Sequence, residues 1–119
     1  MPYEAFDHLL INVEEPVHPV DGDCEPWSRW IASELRERQV PAKVQTVWFE
    51  TDMNFGDGTK TVILAGHVVV FIEVDQQTVV ADFTARQYAP DLPARWIVGL
   101  EEYRERMCAV LAAERMRVQ

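Results

Sequence analysis

The chain has 119 residues, of which 48% are hydrophobic and 10% aromatic, and its formal net charge is −9. This length is enough for one sizeable hydrophobic core and too short for two ordinary domains, so a single domain covering residues 1–119 is expected. The 20 acidic residues outnumber the 11 basic ones, and this charge would repel a phosphate backbone and an anionic bilayer. Nucleic acid and membranes are therefore not expected as partners.

The amino-terminal sequence MPYEAFDHLL lacks the basic region and the apolar run of a signal peptide, and no segment approaches the roughly 20 apolar residues of a membrane span. We therefore expect a cytoplasmic protein where it is synthesised, and signal-independent export as an effector is left open. The two cysteines, Cys24 and Cys108, are too few for a disulfide framework. They are interpreted as two independent thiols.

The first half of the chain predicts two helices and a strand. Apolar residues at helical spacing predict a short amphipathic helix over about residues 3–10. After a loop rich in proline, the segment CEPWSRWIASELRER has apolar residues with a period near 3.6 and predicts a second helix up to about Arg38. The segment PAKVQTVWFE, rich in β-branched and aromatic residues, predicts a strand, followed by a turn over residues 51–58.

The second half predicts two more strands and a closing helix. The strands are expected over residues 60–74 and 78–84, with a short turn between them. The proline-containing segment 85–96 predicts a loop, and residues 100–116 predict a helix. These elements predict an α+β fold in which helices pack against a mainly antiparallel β-sheet.

Cys24 lies in the sequence DGDCEPW, where a glycine-containing loop enters the second predicted helix. The N–H groups and the dipole at a helix N-terminus favour a thiolate, which is the nucleophilic form of cysteine. The backbone N–H of Cys24 can also donate to the oxyanion formed when its sulfur attacks a carbonyl. The spacing from Cys24 to Trp27 and Ile31 places the sulfur on the side of the helix that faces the sheet, so Cys24 is a candidate nucleophile.

His67 and Asp82 lie on consecutive predicted strands, in the sequences GHVVVFIEV and VVADFT. An even number of turn residues between antiparallel strands puts both side chains on one face of the sheet. A turn at Asp75 and Gln76 makes Asp82 the diagonal neighbour of His67, whereas a turn at Gln76 and Gln77 moves the two apart. The first register better fits an Asp82 carboxylate that accepts the imidazole N–H, fixes its tautomer and stabilises the imidazolium.

A cysteine at a helix start, then GHVVVFIEV, then VVADFTARQY resembles the papain-like and transglutaminase-like superfamily of cysteine enzymes, which includes small bacterial papain-fold toxin and deamidase domains. The resemblance covers roughly residues 20–90. It implies a papain-like fold with the nucleophile helix packed on the sheet, and a triad of Cys24 as nucleophile, His67 as general base and acid, and Asp82 as orienting carboxylate. It also implies peptidase, glutamine deamidase or transglutaminase activity on an amide of a protein substrate, with no cofactor, in a toxin or effector.

Substrate-binding residues are expected beside the nucleophile. Trp27 is close enough to Cys24 in sequence to line a substrate groove, although packing in the core is its simpler interpretation. Gln45 and Gln87 are candidate side-chain donors to an oxyanion, and Gln87 is predicted to contact substrate.

Other chemistry-bearing residues have simpler interpretations. Cys108 lies inside the last predicted helix and is expected to pack in the core. His8, His18, Cys24 and His67 lack the tight ligand pairs of a zinc site, and TDMNFGDG lacks the distal glutamate of a calcium loop, so no metal is expected.

The charges around Cys24 support an alternative function. Asp21, Asp23 and Glu25 surround the cysteine with negative charge, which opposes thiolate formation. A catalytically silent papain-like domain that binds another protein through this acidic cleft is therefore the second interpretation. The third is a structural or assembly protein in which the strand motifs are coincidental.

Overall fold

The computed structural model describes residues 3–119, so Met1 and Pro2 of the predicted domain lie outside the described residues. The helices are α1 (Tyr3–Leu9), α2 (Cys24–Glu37) and α3 (Leu100–Leu111), and the strands are β1 (Ala42–Asn54), β2 (Thr59–Val74), β3 (Gln77–Asp82), β4 (Trp96–Gly99) and β5 (Arg115–Val118). The described strands form one antiparallel sheet in the order β4-β3-β2-β1-β5. The fold is therefore α+β, as predicted, and its organisation as one domain stays a prediction.

The sheet carries a hydrophobic core on each face, because neighbouring residues of β2 point to opposite sides. Val70 and Ile72 face the core covered by α1 and α2. Val69 and Phe71 face the other core, which contains Tyr103 of α3. None of the described helices is long and apolar enough to cross a membrane.

The turn between β2 and β3 sets the register of the functional strands. Val74 pairs with Gln77, so the turn consists of Asp75 and Gln76, with φ angles of 49° and 67°. Two successive positive φ angles match the right-handed twist of a hairpin. The register that places Asp82 diagonally to His67 is therefore confirmed.

The predicted turn over residues 51–58 is too long. Residues 51–54 continue β1 and pair with residues 59–62 of β2, so the turn is confined to residues 55–58. Thr61 donates a hydrogen bond of 3.0 Å to Asp52 across the hairpin. Polar residues typical of turns are tolerated here because this end of the hairpin faces solvent.

Two short strands lie outside the predicted set. β4 begins at the last residue of the predicted loop, and β5 overlaps the end of the predicted last helix and extends beyond it. That helix ends at Leu111 because Ala112 adopts a left-handed conformation with φ 55°. β5 then pairs with β1, and Arg115 and Arg117 both form ion pairs with the buried carboxylate of Glu50.

Candidate active site

The site is built on a stretch of β2 that β3 does not cover. The ladder between the two strands ends before Val68, because β3 stops at Asp82. The Val68 carbonyl bonds to α2 instead and accepts a 3.0 Å hydrogen bond from Ser28, while the Val68 backbone also helps to lower the pKa of the Cys24 thiol. The start of α2 is thereby fixed beside His67, which precedes Val68.

His67 and Asp82 form the buried centre of the site. Each residue is 1% exposed, and Nε2 of His67 lies 2.9 Å from Oδ2 of Asp82. Burial favours a neutral imidazole, but the Asp82 charge and the hydrogen bonds to Asp82 and Cys24 outweigh it and raise the pKa of His67 to about 9. Because Nε2 faces Asp82, Nδ1 is the nitrogen available to Cys24.

The Asp82 carboxylate is held by donors from several segments. The Tyr103 hydroxyl donates to Oδ2 at 2.6 Å, and the Thr84 backbone N–H donates to Oδ1 at 2.9 Å. Burial raises the pKa of Asp82, but the positive charge of His67 and these hydrogen bonds more than offset burial, so the pKa is lowered. Asp82 is therefore an ionised, oriented acceptor for His67.

Cys24 is half-buried at the first residue of α2. Burial by itself raises the pKa of its thiol, but the hydrogen bond and charge of His67, together with the Val68 backbone, lower it below its usual value. The same contact contributes to the raised pKa of His67. The two groups therefore favour a thiolate–imidazolium pair, and the structure places Cys24 beside the His67–Asp82 pair.

Two of the acidic residues around Cys24, Asp23 and Glu25, are engaged elsewhere. The Asp23 carboxylate accepts a 2.9 Å hydrogen bond from the Val20 N–H, upstream of the helix. Glu25 pairs with Arg29 one turn along α2. The charge that the sequence places beside the thiol is thus partly compensated, and His67 is the neighbour that lowers the pKa of Cys24.

Tyr88 lies against the imidazole on the side away from Asp82. Its hydroxyl is 3.4 Å from Nδ1 of His67 and donates to the Gly66 carbonyl at 3.3 Å. The two rings meet edge to face with 5.0 Å between centroids. Tyr88 therefore packs on the Nδ1 side of the His67 ring, the side assigned to Cys24.

The predicted substrate-contacting residues have different environments. The Trp27 indole donates a 2.7 Å hydrogen bond to the Glu14 carbonyl and packs against the core beneath α2. Gln87 ends a 3₁₀ turn, Ala85–Gln87, and its buried Oε1 has no hydrogen-bond partner within residues 3–119. Gln45 donates to the carbonyls of Thr46 and Gln119 near β5, so the structure does not bring it to the triad.

A shallow cavity of about 120 Å³ adjoins the segments that carry Cys24 and Gln87. It is lined by Val17, His18, Pro19, Arg86 and Pro90. Two larger cavities, of about 410 Å³ and 400 Å³, have no triad residue in their linings. The small cavity has no triad residue in its lining either, and its link to the site is that Arg86 directly precedes Gln87.

The remaining candidates lie apart from this site. Cys108 packs beside the α3 core, and burial raises the pKa of its thiol. Within residues 3–119, no cluster of histidine, cysteine, aspartate or glutamate side chains is arranged to hold a metal ion.

Three residues of the site were not identified from sequence. The hydroxyl groups of Ser28 and Tyr88 donate hydrogen bonds to backbone carbonyls of β2. Nothing in the sequence indicates which carbonyls of this strand lack a partner strand. Tyr103 did carry an indication: a hydroxyl on the apolar face of a helix needs a buried acceptor.

Comparison with known proteins gives one structural likeness. No protein-family model and no curated protein matches the chain. The fold is similar to that of the C-terminal region of Pasteurella multocida toxin, whose crystal structures are described as revealing a thiol-protease-like catalytic triad. The TM-score is 0.69 at 13% sequence identity, and the match covers 98% of this chain and 16% of the toxin chain. The chain thus shares the fold of a toxin region that is described as carrying a thiol-protease-like catalytic triad.

Proposed function

We propose that the protein is a thiol-dependent acyl-transfer enzyme with a papain-like or transglutaminase-like fold. The observation that carries the proposal is the buried 2.9 Å contact between His67 and Asp82, together with Cys24, whose pKa His67 lowers. Each group has the pKa shift that this chemistry requires: lowered for the thiol and the carboxyl, raised for the imidazole. The fold shared with a thiol-protease-like region supports the same assignment.

The proposed reaction begins when the Cys24 thiolate attacks the carbonyl carbon of an amide and forms a C–S bond. His67 gives its Nδ1 proton to the amide nitrogen, the C–N bond breaks, and an amine or ammonia leaves. The neutral imidazole then takes a proton from water or an acceptor amine, which attacks the thioester carbonyl. The C–S bond breaks and the thiolate–imidazolium pair returns, while Asp82 keeps the imidazole in place.

Substrate recognition is proposed for Gln87 and the neighbouring cavity. A buried carbonyl oxygen without a partner is energetically costly, and an N–H group of a bound substrate would satisfy Oε1 of Gln87. The Cys24 backbone N–H, at the first residue of α2, is the proposed donor to the oxyanion. Trp27, already bonded to Glu14, is proposed to form the wall of the groove beside Cys24.

The proposed substrate is a protein, attacked at a peptide bond or a side-chain amide. The net charge of −9 disfavours nucleic acid and membrane surfaces as partners. Synthesis in the cytoplasm and action as a toxin or effector after signal-independent export are proposed, and the toxin origin of the structural neighbour supports this setting.

The test uses a denatured cell lysate as a general protein substrate, supplemented with a fluorescent primary amine. New protein N-termini report peptidase activity, glutamine-to-glutamate conversion reports deamidation, and bound fluorophore reports transglutamination. One of these products should form with the wild type and with Cys108→Ala, and its rate should fall by about 10³ or more in Cys24→Ala. Formation of none of these products, or equal amounts from Cys24→Ala, would overturn the proposal.

The protein-binding alternative predicts a different ranking of variants. Partner binding would survive Cys24→Ala and would weaken in the triple variant Asp21→Asn, Asp23→Asn, Glu25→Gln. Turnover by an enzyme depends on Cys24 more than on these carboxylates. Measuring both properties on the same variants separates the two functions.

A further inference from the structure

We propose that Tyr103 is a positioning residue of the triad, which holds Asp82 in the orientation and with the charge distribution that His67 requires. The inference rests on the proposed function, because it assigns a role within the same thiol chemistry. It also connects α3, on the face of the sheet opposite α2, with the reaction at Cys24.

Two donors meet on one carboxylate oxygen. The Tyr103 hydroxyl lies 2.6 Å from Oδ2 of Asp82, and Nε2 of His67 lies 2.9 Å from the same atom. The other oxygen, Oδ1, accepts the Thr84 backbone N–H at 2.9 Å. The donors come from α3, β2 and the segment after β3, so the carboxylate cannot rotate without breaking one of these bonds.

Packing alone does not require the Tyr103 hydroxyl. The residue is 0% exposed, and its ring lies 4.8 Å from the Trp96 ring. A phenylalanine would fill nearly the same space without burying a hydroxyl, which needs a partner in the core. The partner here is the triad carboxylate. Burial and the Asp82 charge raise the pKa of Tyr103 well above its usual value, so the phenol remains a donor throughout the working pH range.

Tyr103 and His67 share the charge on Oδ2 of Asp82. The Tyr103 hydroxyl stabilises part of the negative charge that would otherwise act on the imidazolium alone. Without the hydroxyl, the attraction between Asp82 and His67 becomes stronger, and His67 should lose its proton at a higher pH. The titratable groups that face the imidazole are Cys24 of α2, Asp82 of β3 and Tyr88 of the segment after β3.

The test is the pH dependence of Cys24 alkylation by iodoacetamide, which needs no substrate. In the wild type the thiolate–imidazolium pair should react at a constant rate at neutral pH, with a step to faster reaction where His67 loses its proton, near pH 9. Tyr103→Phe should move this step upward by about half a pH unit or more. Tyr3→Phe is the matched control, since it removes a hydroxyl of α1 that lies beside Gly99, and it should leave the step unchanged.

A second variant should shift the pH of this step in the opposite direction. Placing 3-fluorotyrosine at position 103 alone makes the phenol a stronger donor, draws more charge from Oδ2 and should move the step downward. A purely structural role predicts a change in melting temperature with the step unmoved in both variants, and that result would overturn the inference. Failure of the proposed function looks different: wild-type Cys24 would then titrate in one step near about pH 8.5, as an ordinary thiol does.

Discussion

Nε2 of His67 and Oδ2 of Asp82 lie 2.9 Å apart, and each residue is 1% exposed. In this environment the two charges depend on each other, because neither can exchange its partner for water. The contact therefore contributes to folding as well as to the proposed chemistry.

The first prediction follows from that burial. Asp82→Ala should lower the free energy of unfolding by about 3 kcal/mol, because it leaves a buried imidazole without its partner. Asp82→Asn should cost less, since its carbonyl oxygen can still accept the Thr84 N–H. Urea unfolding measures both, and Asp57→Asn on the exposed hairpin turn is the control, with a change within about 0.5 kcal/mol. Equal effects of Asp82→Ala and Asp57→Asn would contradict the prediction.

The second prediction distinguishes the two thiols. His67 lowers the pKa of Cys24, whereas burial raises that of Cys108. A limited amount of iodoacetamide at about pH 7 should therefore label Cys24 first, as mapped by mass spectrometry. His67→Ala should slow labelling of Cys24 and leave Cys108 unaffected. Preferential labelling of Cys108 in the folded wild type would show that the thiol assignment is wrong.

Strand parity, a local property of the sequence, was sufficient to place His67 and Asp82 on one face of the sheet, whereas the diagonal register was preferred because it fits a contact between histidine and carboxylate. The turn at Asp75 and Gln76 fixed the register, and an even turn puts both side chains on one face. Cys24 was predicted at a helix start from the surrounding glycine, proline and apolar spacing. These inferences depend on short stretches of chain and on geometry that every helix or strand shares.

The remainder of the site depends on long-range packing. Ser28 bonds to the Val68 carbonyl only because β3 ends at Asp82, and Tyr103 reaches Asp82 only because α3 covers that face. Neither the composition nor the periodicity of hydrophobic residues specifies where a strand ends relative to the neighbouring strand. β5 was likewise missed because its residues continue a helical pattern past Ala112, whose left-handed conformation ends α3.

The third prediction concerns Gly66, which precedes His67 and pairs with Trp48 on β1. A Cβ at this position would lie 2.5 Å from the Trp48 ring, so the indole would have to move. Gly66→Ala should lower the free energy of unfolding by about 1–3 kcal/mol through overpacking, and should slow alkylation of Cys24 by disturbing His67. Adding Trp48→Leu should restore part of the stability. Additive losses in a double-mutant cycle would show that the ring contact is not the cause.

The last prediction is that the free energy of unfolding depends on pH differently in the wild type and in Cys24→Ala. In the unfolded chain between about pH 6.5 and about pH 8.5, Cys24 is mainly a thiol and His67 mainly neutral, so the pair binds one proton. The thiolate–imidazolium pair proposed for the folded protein also carries one proton, which His67 holds because its pKa is raised to about 9. Equal proton numbers mean that this pair makes wild-type stability independent of pH in that window.

Cys24→Ala makes the number of bound protons differ between the folded and the unfolded state. Asp82 still holds the pKa of His67 above its unfolded value, so the folded variant binds a proton that the unfolded chain has lost. Stability of the variant should therefore fall as pH rises from about 6.5 until His67 loses its proton in the folded state, by at most about 1.4 kcal/mol per pH unit. Urea unfolding at a series of pH values measures the slope, with Cys108→Ala expected to follow the wild type. Parallel curves for Cys24→Ala and wild type would mean that Cys24 and His67 do not share a proton in the folded state.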